Sequence, residues 1–134
     1  MEDIFVARVM SASLETVTSD TLVEDAGQVM LEKDIGSVVV IAEDNELEGI
    51  LTTTDFVDIV AQSHPKAETT VERYMTEDVV TVSAQDSIRD AADLMVEHGF
   101  KHLPVVDEDE GVIGMITTTD LASYVSRIQS PSPE

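Results

Sequence analysis

Cysteine and tryptophan are absent from this chain, and basic residues are scarce. Without cysteine there is no disulfide and no thiolate metal site. Two Tyr and three Phe are the whole aromatic complement. Any core must therefore be built from Val, Ile, Leu, Met and Ala. No apolar run nears the ~20 residues that span a bilayer. The opening residues Met1-Glu2-Asp3-Ile4 are acidic where a secretory signal would be basic. These absences lead to the expectation of a soluble, cytoplasmic protein. Seven Lys and Arg face 28 Asp and Glu, a net charge of −21. Nucleic acid is excluded as a partner on that balance, because its affinity comes mainly from phosphate neutralisation. An anionic membrane surface is disfavoured for the same reason. In dilute buffer so much like charge opposes the compact state. At about 1 M salt the Debye length falls to ~3 Å and the repulsion largely vanishes. The composition points to a halophile's cytoplasm, with an acidic protein of an ordinary cell as the alternative.

What is present is a repeat. Thr52-Thr53-Thr54-Asp55 recurs as Thr117-Thr118-Thr119-Asp120, 65 positions later. The same offset aligns Met10 with Met75, Thr16-Val17 with Thr81-Val82, Asp25-Ala26 with Asp90-Ala91, Met30 with Met95 and Gly49 with Gly114. No gap is needed from Met10 to Asp120. Two copies of about 60 residues each are near the lower limit of independent stability, so they should pack on each other.

Each copy reads strand, helix, strand, strand, helix. In the first, Glu15–Thr18 is a short strand, and Thr21-x-x-Glu24 fits a capping box. Leu22, Ala26, Val29 and Met30 form one helical stripe. Gly36 releases the chain from that helix. Ser37–Ile41 is a β-branched run expected to be covered on both faces. Residues 43–46 turn, Leu47–Leu51 return, and Thr52–Asp55 lead into a second helix. In the second copy Ile88, Ala91, Ala92 and Met95 make the stripe, and Gly99 ends the helix. Leu103–Val106 and Val112–Ile116 are strands about a turn at Asp107–Gly111. Pro104 lacks a ladder donor and suggests an edge or an irregular start. Residues 62–70 read as a linker and 130–134 as a frayed tail.

Few residues can carry chemistry. The Thr-Thr-Thr-Asp string sits where a strand ends and a helix begins, where free backbone N–H groups suit a phosphate. Thr52, Thr54, Thr117 and Thr119 add hydroxyls. Asp55 and Asp120 are acceptor-only carboxylates suited to the vicinal hydroxyls of a ribose. Helix capping alone also explains Thr and Asp there. The recurrence in identical context, each time with a Gly three residues before the first Thr, favours binding. Lys101, one of three lysines, and His102 precede the second buried strand. They suit a phosphate, while a solvated lysine is the alternative. Gly36 and Ser37 occupy the matching positions. His64 and His98 show no ligand spacing. The acidic turn Asp107–Glu110 reads as solvated, and no dedicated metal site is found. There is no nucleophile with a base, so no catalytic residue is assigned and no enzyme is expected.

Taken together, these motifs resemble a tandem pair of CBS domains, a Bateman module. The resemblance rests on Val9-Met10-Ser11 and Tyr74-Met75-Thr76, the Thr-Val-Thr/Ser strands, and the Ala-containing helices ending in Met. It rests equally on the two Gly-x-x-Thr-x-Thr-Asp strings and on His102-Leu103-Pro104-Val105-Val106-Asp107. It covers Val6 to Ile128. It implies an α/β fold of the α+β type: repeats 1–64 and 65–134, each β-α-β-β-α, packed with pseudo-twofold symmetry. It implies clefts between the repeats for AMP, ADP, ATP or S-adenosylmethionine, with Mg²⁺ possible beside ATP. It implies a homodimer and a regulatory role, exerted in trans on a protein target since no catalytic domain is attached. A structural dimerisation or adaptor module with empty clefts is the alternative. By resemblance Asp55 and Asp120 bind ribose, and Thr52, Thr54, Thr117 and Thr119 bind phosphate. Thr18 and Ser83 are further nucleotide contacts. On the family pattern Asp55 pairs with Lys101 and His102, and Asp120 with Gly36 and Ser37. The Asp55 cleft is then the one expected to prefer a phosphorylated ligand.

Overall fold

The computed structural model describes residues 4–12, 14–62 and 69–129. The linker residues 63–68, with His64, and the tail 130–134 lie outside the described residues. Ten elements follow in order: α1 (Val6–Val9), β1 (Thr16–Val17), α2 (Val23–Lys33), β2 (Ser37–Ile41), β3 (Leu47–Thr52), α3 (Thr53–Ala61), α4 (Ile88–His98), β4 (His102–Asp107), β5 (Gly111–Thr117) and α5 (Thr118–Gln129). Short 3-10 turns occupy Glu43–Asn45 and Val71–Arg73. The result is the mixed α/β class expected.

The chain divides into two compact units. One comprises Leu14–Val79 with Glu110–Val112, and the other the described residues of Met1–Ser13, Val80–Asp109 and Ile113–Glu134. Each repeat thus gives its leading segment to the unit built around the other. Within the first unit, Thr76 and Ile50 exchange backbone bonds of 2.9 and 3.0 Å. Within the second, Ser11 and Met115 do so at 2.8 and 2.9 Å. Val71 is fully buried in the first core and Val6 in the second. Gly49 and Gly114 make room for these segments. A Cβ on Gly49 would lie 2.7 Å from the Thr76 carbonyl oxygen and 2.9 Å from Met75 Sδ. On Gly114 it would lie 2.8 Å from the Ser11 carbonyl oxygen and 2.9 Å from Met10 Sδ. The repeated glycine before each Thr-Thr-Thr-Asp therefore has a packing cause.

In the first unit β2 is central, parallel to β1 and antiparallel to β3. Its Val38, Val39 and Val40 are all buried, as a doubly covered strand requires. In the second unit β4 and β5 form a two-stranded sheet, and the expected Thr81-Val82-Ser83 strand is reduced to one parallel bridge, Val82 to Val105. Pro104 explains the loss. Val39 donates its N–H to the Glu15 carbonyl at 3.2 Å, and Pro104, its counterpart, has no N–H to give. Pro104 itself lies inside β4 and is buried.

The helix stripes bury as expected, with Ala26 and Met30 in one core and Ala91 and Met95 in the other. The helix ends differ from the sequence reading. Thr21 does not cap α2: its hydroxyl accepts the Thr18 N–H at 3.1 Å, and the N-cap is Leu22 without a side-chain bond. The matching Ser87 does cap α4, accepting the Asp90 N–H at 3.1 Å. The left-handed residue that ends α2 is Asp34 (φ 55°), not Gly36. In α4 the same position is Gly99 (φ 72°).

Candidate functional site

The two Thr-Thr-Thr-Asp strings fold into the same turn. β3 ends at Thr52 and α3 begins at Thr53; β5 ends at Thr117 and α5 begins at Thr118. Asp55 lies in the first turn of α3, so its carboxylate reaches back to the N-cap. Its Oδ2 accepts the Thr52 N–H at 2.8 Å and the Thr52 hydroxyl at 3.3 Å. Asp120 Oδ2 accepts the Thr117 N–H at 2.9 Å, and the Asp120 N–H donates to Thr117 Oγ1 at 3.1 Å. One oxygen of each carboxylate is therefore committed to capping the helix. Among the described residues Oδ1 of each makes no hydrogen bond. Thr54 and Thr119 are exposed, and Asp55 and Asp120 half-buried. A seated, half-buried carboxylate beside exposed hydroxyls can accept from a diol at small reorganisation cost.

A second bond joins each turn to its own sheet. Thr53 donates to the Gly36 carbonyl at 3.1 Å, and Thr118 to the Lys101 carbonyl at 3.0 Å. In the first unit this accompanies the register Ser37 opposite Thr52. The equivalent bond sets His102 beside Thr117. Lys101 and His102 thus lie at the Thr117–Asp120 turn, while Gly36 and Ser37 lie at the Thr52–Asp55 turn. In an antiparallel hairpin the start of β4 lies at the end of β5.

Lys101 is exposed and His102 half-buried. Burial, then the positive charge of Lys101, hold the His102 pKa below its ordinary 6.5, while the Asp120 carboxylate acts in the opposite direction. Among the described residues the imidazole makes no hydrogen bond.

Thr18 and Ser83 sit in matching turns but are engaged locally. The Ser83 N–H donates to Asp86 Oδ2 at 2.8 Å and its hydroxyl to Gln85 Oε1 at 2.8 Å. The Thr18 hydroxyl donates to Asp20 Oδ1. His98 stacks on Phe100 with centroids 5.5 Å apart, a packing contact at the end of α4. Among the described residues no group of three or more His, Cys, Asp or Glu could hold a metal ion, and no helix is long and apolar enough to cross a membrane. Sequence reasoning missed Asn45. Its side-chain N–H groups donate to the Glu110 and Val112 carbonyls at 2.9 and 2.6 Å. An asparagine in an acidic turn carries no signal of so distant a partner.

The sequence profile of the CBS domain matches residues 6–62 and 71–127. The uncharacterized 17.7 kDa protein in the bps2 3' region of Acidianus ambivalens is 33% identical over 87% of this chain and 70% of its own. A homoserine O-acetyltransferase of Methanosalsum zhilinae is 31% identical over 93% of this chain, which spans only 25% of that enzyme. Among solved structures, a signal-transduction protein with CBS domains from Burkholderia ambifaria superimposes with a TM-score of 0.87 at 33% identity, over 98% of this chain and 100% of its own. The CBS domain pair of MJ0100, in complex with 5'-methylthioadenosine and S-adenosyl-L-methionine, matches at 0.87 and 24% identity over 95% and 99%. CBSX2 in complex with AMP matches at 0.81 and 27% identity over 93% and 98%.

Proposed function

The chain belongs to the CBS-domain family, and on that premise we propose that it is a regulatory sensor of an adenosine-containing ligand. The observation that carries this reading is the duplicated turn. The same carboxylate caps the same N–H twice, at 2.8 and 2.9 Å, and keeps its second oxygen for a ligand. The AMP complex of CBSX2 supports an adenosine ligand. Asp55 and Asp120 hold ribose hydroxyls, and Thr52, Thr54, Thr117 and Thr119 lie at the phosphate end. Thr18 and Ser83 are secondary contacts.

The turns differ in charge. Lys101 and His102 favour a phosphorylated ligand, AMP, ADP or ATP, held with Asp55. Gly36 and Ser37 favour a less anionic one, such as S-adenosylmethionine, held with Asp120. Mg²⁺ would arrive with ATP. The sensor acts in trans on a protein target in the cytoplasm of a halophile, as a homodimer. Supporting self-association, the matched residues Leu31 and Val96 are 80% and 85% exposed, and Val60 and Val125 71% and 43%.

The test is thermal unfolding in about 2–3 M KCl, where surface repulsion is screened, against AMP, ADP, ATP and S-adenosylmethionine. A ligand at 100 times its Kd should add about 2.7 kcal/mol. A flat response to all four from folded protein would replace this reading by a dimerisation or adaptor module.

A further inference from the structure

Both hairpins turn through acidic residues. Glu43, Asp44 and Glu46 are exposed between β2 and β3, and Glu108, Asp109 and Glu110 between β4 and β5. The offset of 65 residues matches Asn45 with Glu110 and Glu46 with Gly111. These matched residues meet, because residues 110–112 belong to the same compact unit as Asn45. Asn45 Nδ2 donates to the Glu110 carbonyl at 2.9 Å and to the Val112 carbonyl at 2.6 Å. A Cβ on Gly111 would stand 2.2 Å from the Asn45 carbonyl oxygen, so main chain lies on main chain. The Asn45 amide brings two N–H donors to this gathering of carbonyls, and it brings them without charge. The matching Glu110 side chain, as a carboxylate, has acceptors only. Asp44 and Asn45 hold left-handed φ angles of 60° and 61°, a backbone that persists where its surroundings fix it.

We propose that the Asn45 contact is a salt-set latch, closed when counter-ions screen the two acidic turns and released when they do not. Two opposed effects meet there. The hydrogen bonds of Asn45 and the close packing at Gly111 act at contact distance and join uncharged groups, so salt leaves them nearly unaltered. The like charges of the two turns act over the Debye length, which is ~3 Å at 1 M salt and ~10 Å at 0.1 M. Only in dilute salt do the carboxylates of one turn push on those of the other. Release frees residues 110–112 from the first unit, and with them the start of β5, the strand that ends at Thr117. The latch does not rest on the sensor reading, since it answers to ionic strength and not to a ligand.

The experiment is nuclear magnetic resonance of the whole chain as KCl is lowered from 3 M to 0.1 M. Exchange of the Asn45 side-chain amide with water is read relative to the backbone N–H of Val39, which is buried in β2 and bonded to Glu15. That relative protection should fall about tenfold across the range. The Gly111 resonance should move with it, toward the position it takes at every salt in Asn45→Asp, where the amide donor is gone. Two triple variants separate the latch from overall charge. Glu43→Gln with Glu46→Gln and Glu108→Gln should stay latched at 0.1 M. Glu32→Gln with Asp93→Asn and Glu97→Gln, exposed acids of α2 and α4 removed to the same net charge, should open as the wild type does. Protection lost in step with Val39 would mean that the fold gives way as a whole, and would overturn the latch. So would two triple variants that behave alike, or a Gly111 resonance that Asn45→Asp leaves at its wild-type, high-salt position.

Discussion

In the unit built on Leu14–Val79 the central strand is bonded on both sides, whereas in the unit built on Val80–Asp109 one side has shrunk to a single bridge. Where the segment from the other repeat must fit, the two units agree closely: Gly49 with Gly114, Met75 with Met10, Val71 with Val6. At helix C-termini and at a half-open turn they diverge: Asp34 against Gly99, Ser37 against His102. A dense contact tolerates little change in volume, while a helix end or a half-open turn accepts several chemistries. The duplication has thus been kept where it packs and varied where it caps or could bind.

The sharpest way to break the likeness is at Gly111, whose counterpart is Glu46. Gly111 has φ 79°, and a Cβ there would stand 2.2 Å from the Asn45 carbonyl oxygen. Gly111→Ala combines backbone strain with a clash against main chain and should cost about 3 kcal/mol in denaturant unfolding. Glu46→Ala, at an exposed extended residue, should stay within about 0.5 kcal/mol. A similar loss in both would show that the turns are not constrained as described.

The next effect tests the agreement itself. Gly49→Ala and Gly114→Ala each force a carbonyl oxygen away from 2.7–2.8 Å, and each should cost about 1–3 kcal/mol. The two losses should match, because the contacts do. Hydrogen exchange at Thr76 should rise in the first variant and at Ser11 in the second. A loss confined to one variant would mean that the two docked segments are held unequally.

Smaller shifts come from the helix ends. Gly99→Ala places a side chain at φ 72° and should cost about 1 kcal/mol. Asp34→Gly relieves φ 55° and should gain several tenths of a kcal/mol. Opposite signs at one repeat position would confirm that each unit ends its helix at the same backbone geometry with different success.

Smallest is the pH dependence of stability itself. His102 has a lowered folded-state pKa, so the unfolded chain takes the proton first as pH falls. Stability is complete above the unfolded value near 6.5 and declines as pH drops from there toward the folded value. His102→Gln should flatten that part of the profile. Ser37→Ala should leave it unaltered.

Much of the fold was legible because apolar periodicity and the offset of 65 residues are local properties of the chain. The buried run Val38–Val40 and the stripes ending in Met30 and Met95 follow from side-chain spacing alone. The candidate site was legible as residue types: a Thr and an Asp three apart at a strand-to-helix turn will cap wherever they fold. Pro104 announced a lost donor, but not that the loss would fall on the bond its counterpart Val39 gives to Glu15.

The sequence by itself therefore determined the duplication, the order of elements, the acidic composition and the candidate residues for a sugar or a phosphate. These depend on spacing and composition, which one strand of letters records completely. Only the tertiary structure decided that each repeat lends its leading segment to the other's unit, that two glycines exist to admit it, and that the Lys101 carbonyl accepts the Thr118 N–H. Those facts depend on which backbone lies within a hydrogen bond's reach of which. Contacts of that kind join residues as far apart as Ser11 and Met115, and nothing local in the sequence encodes them.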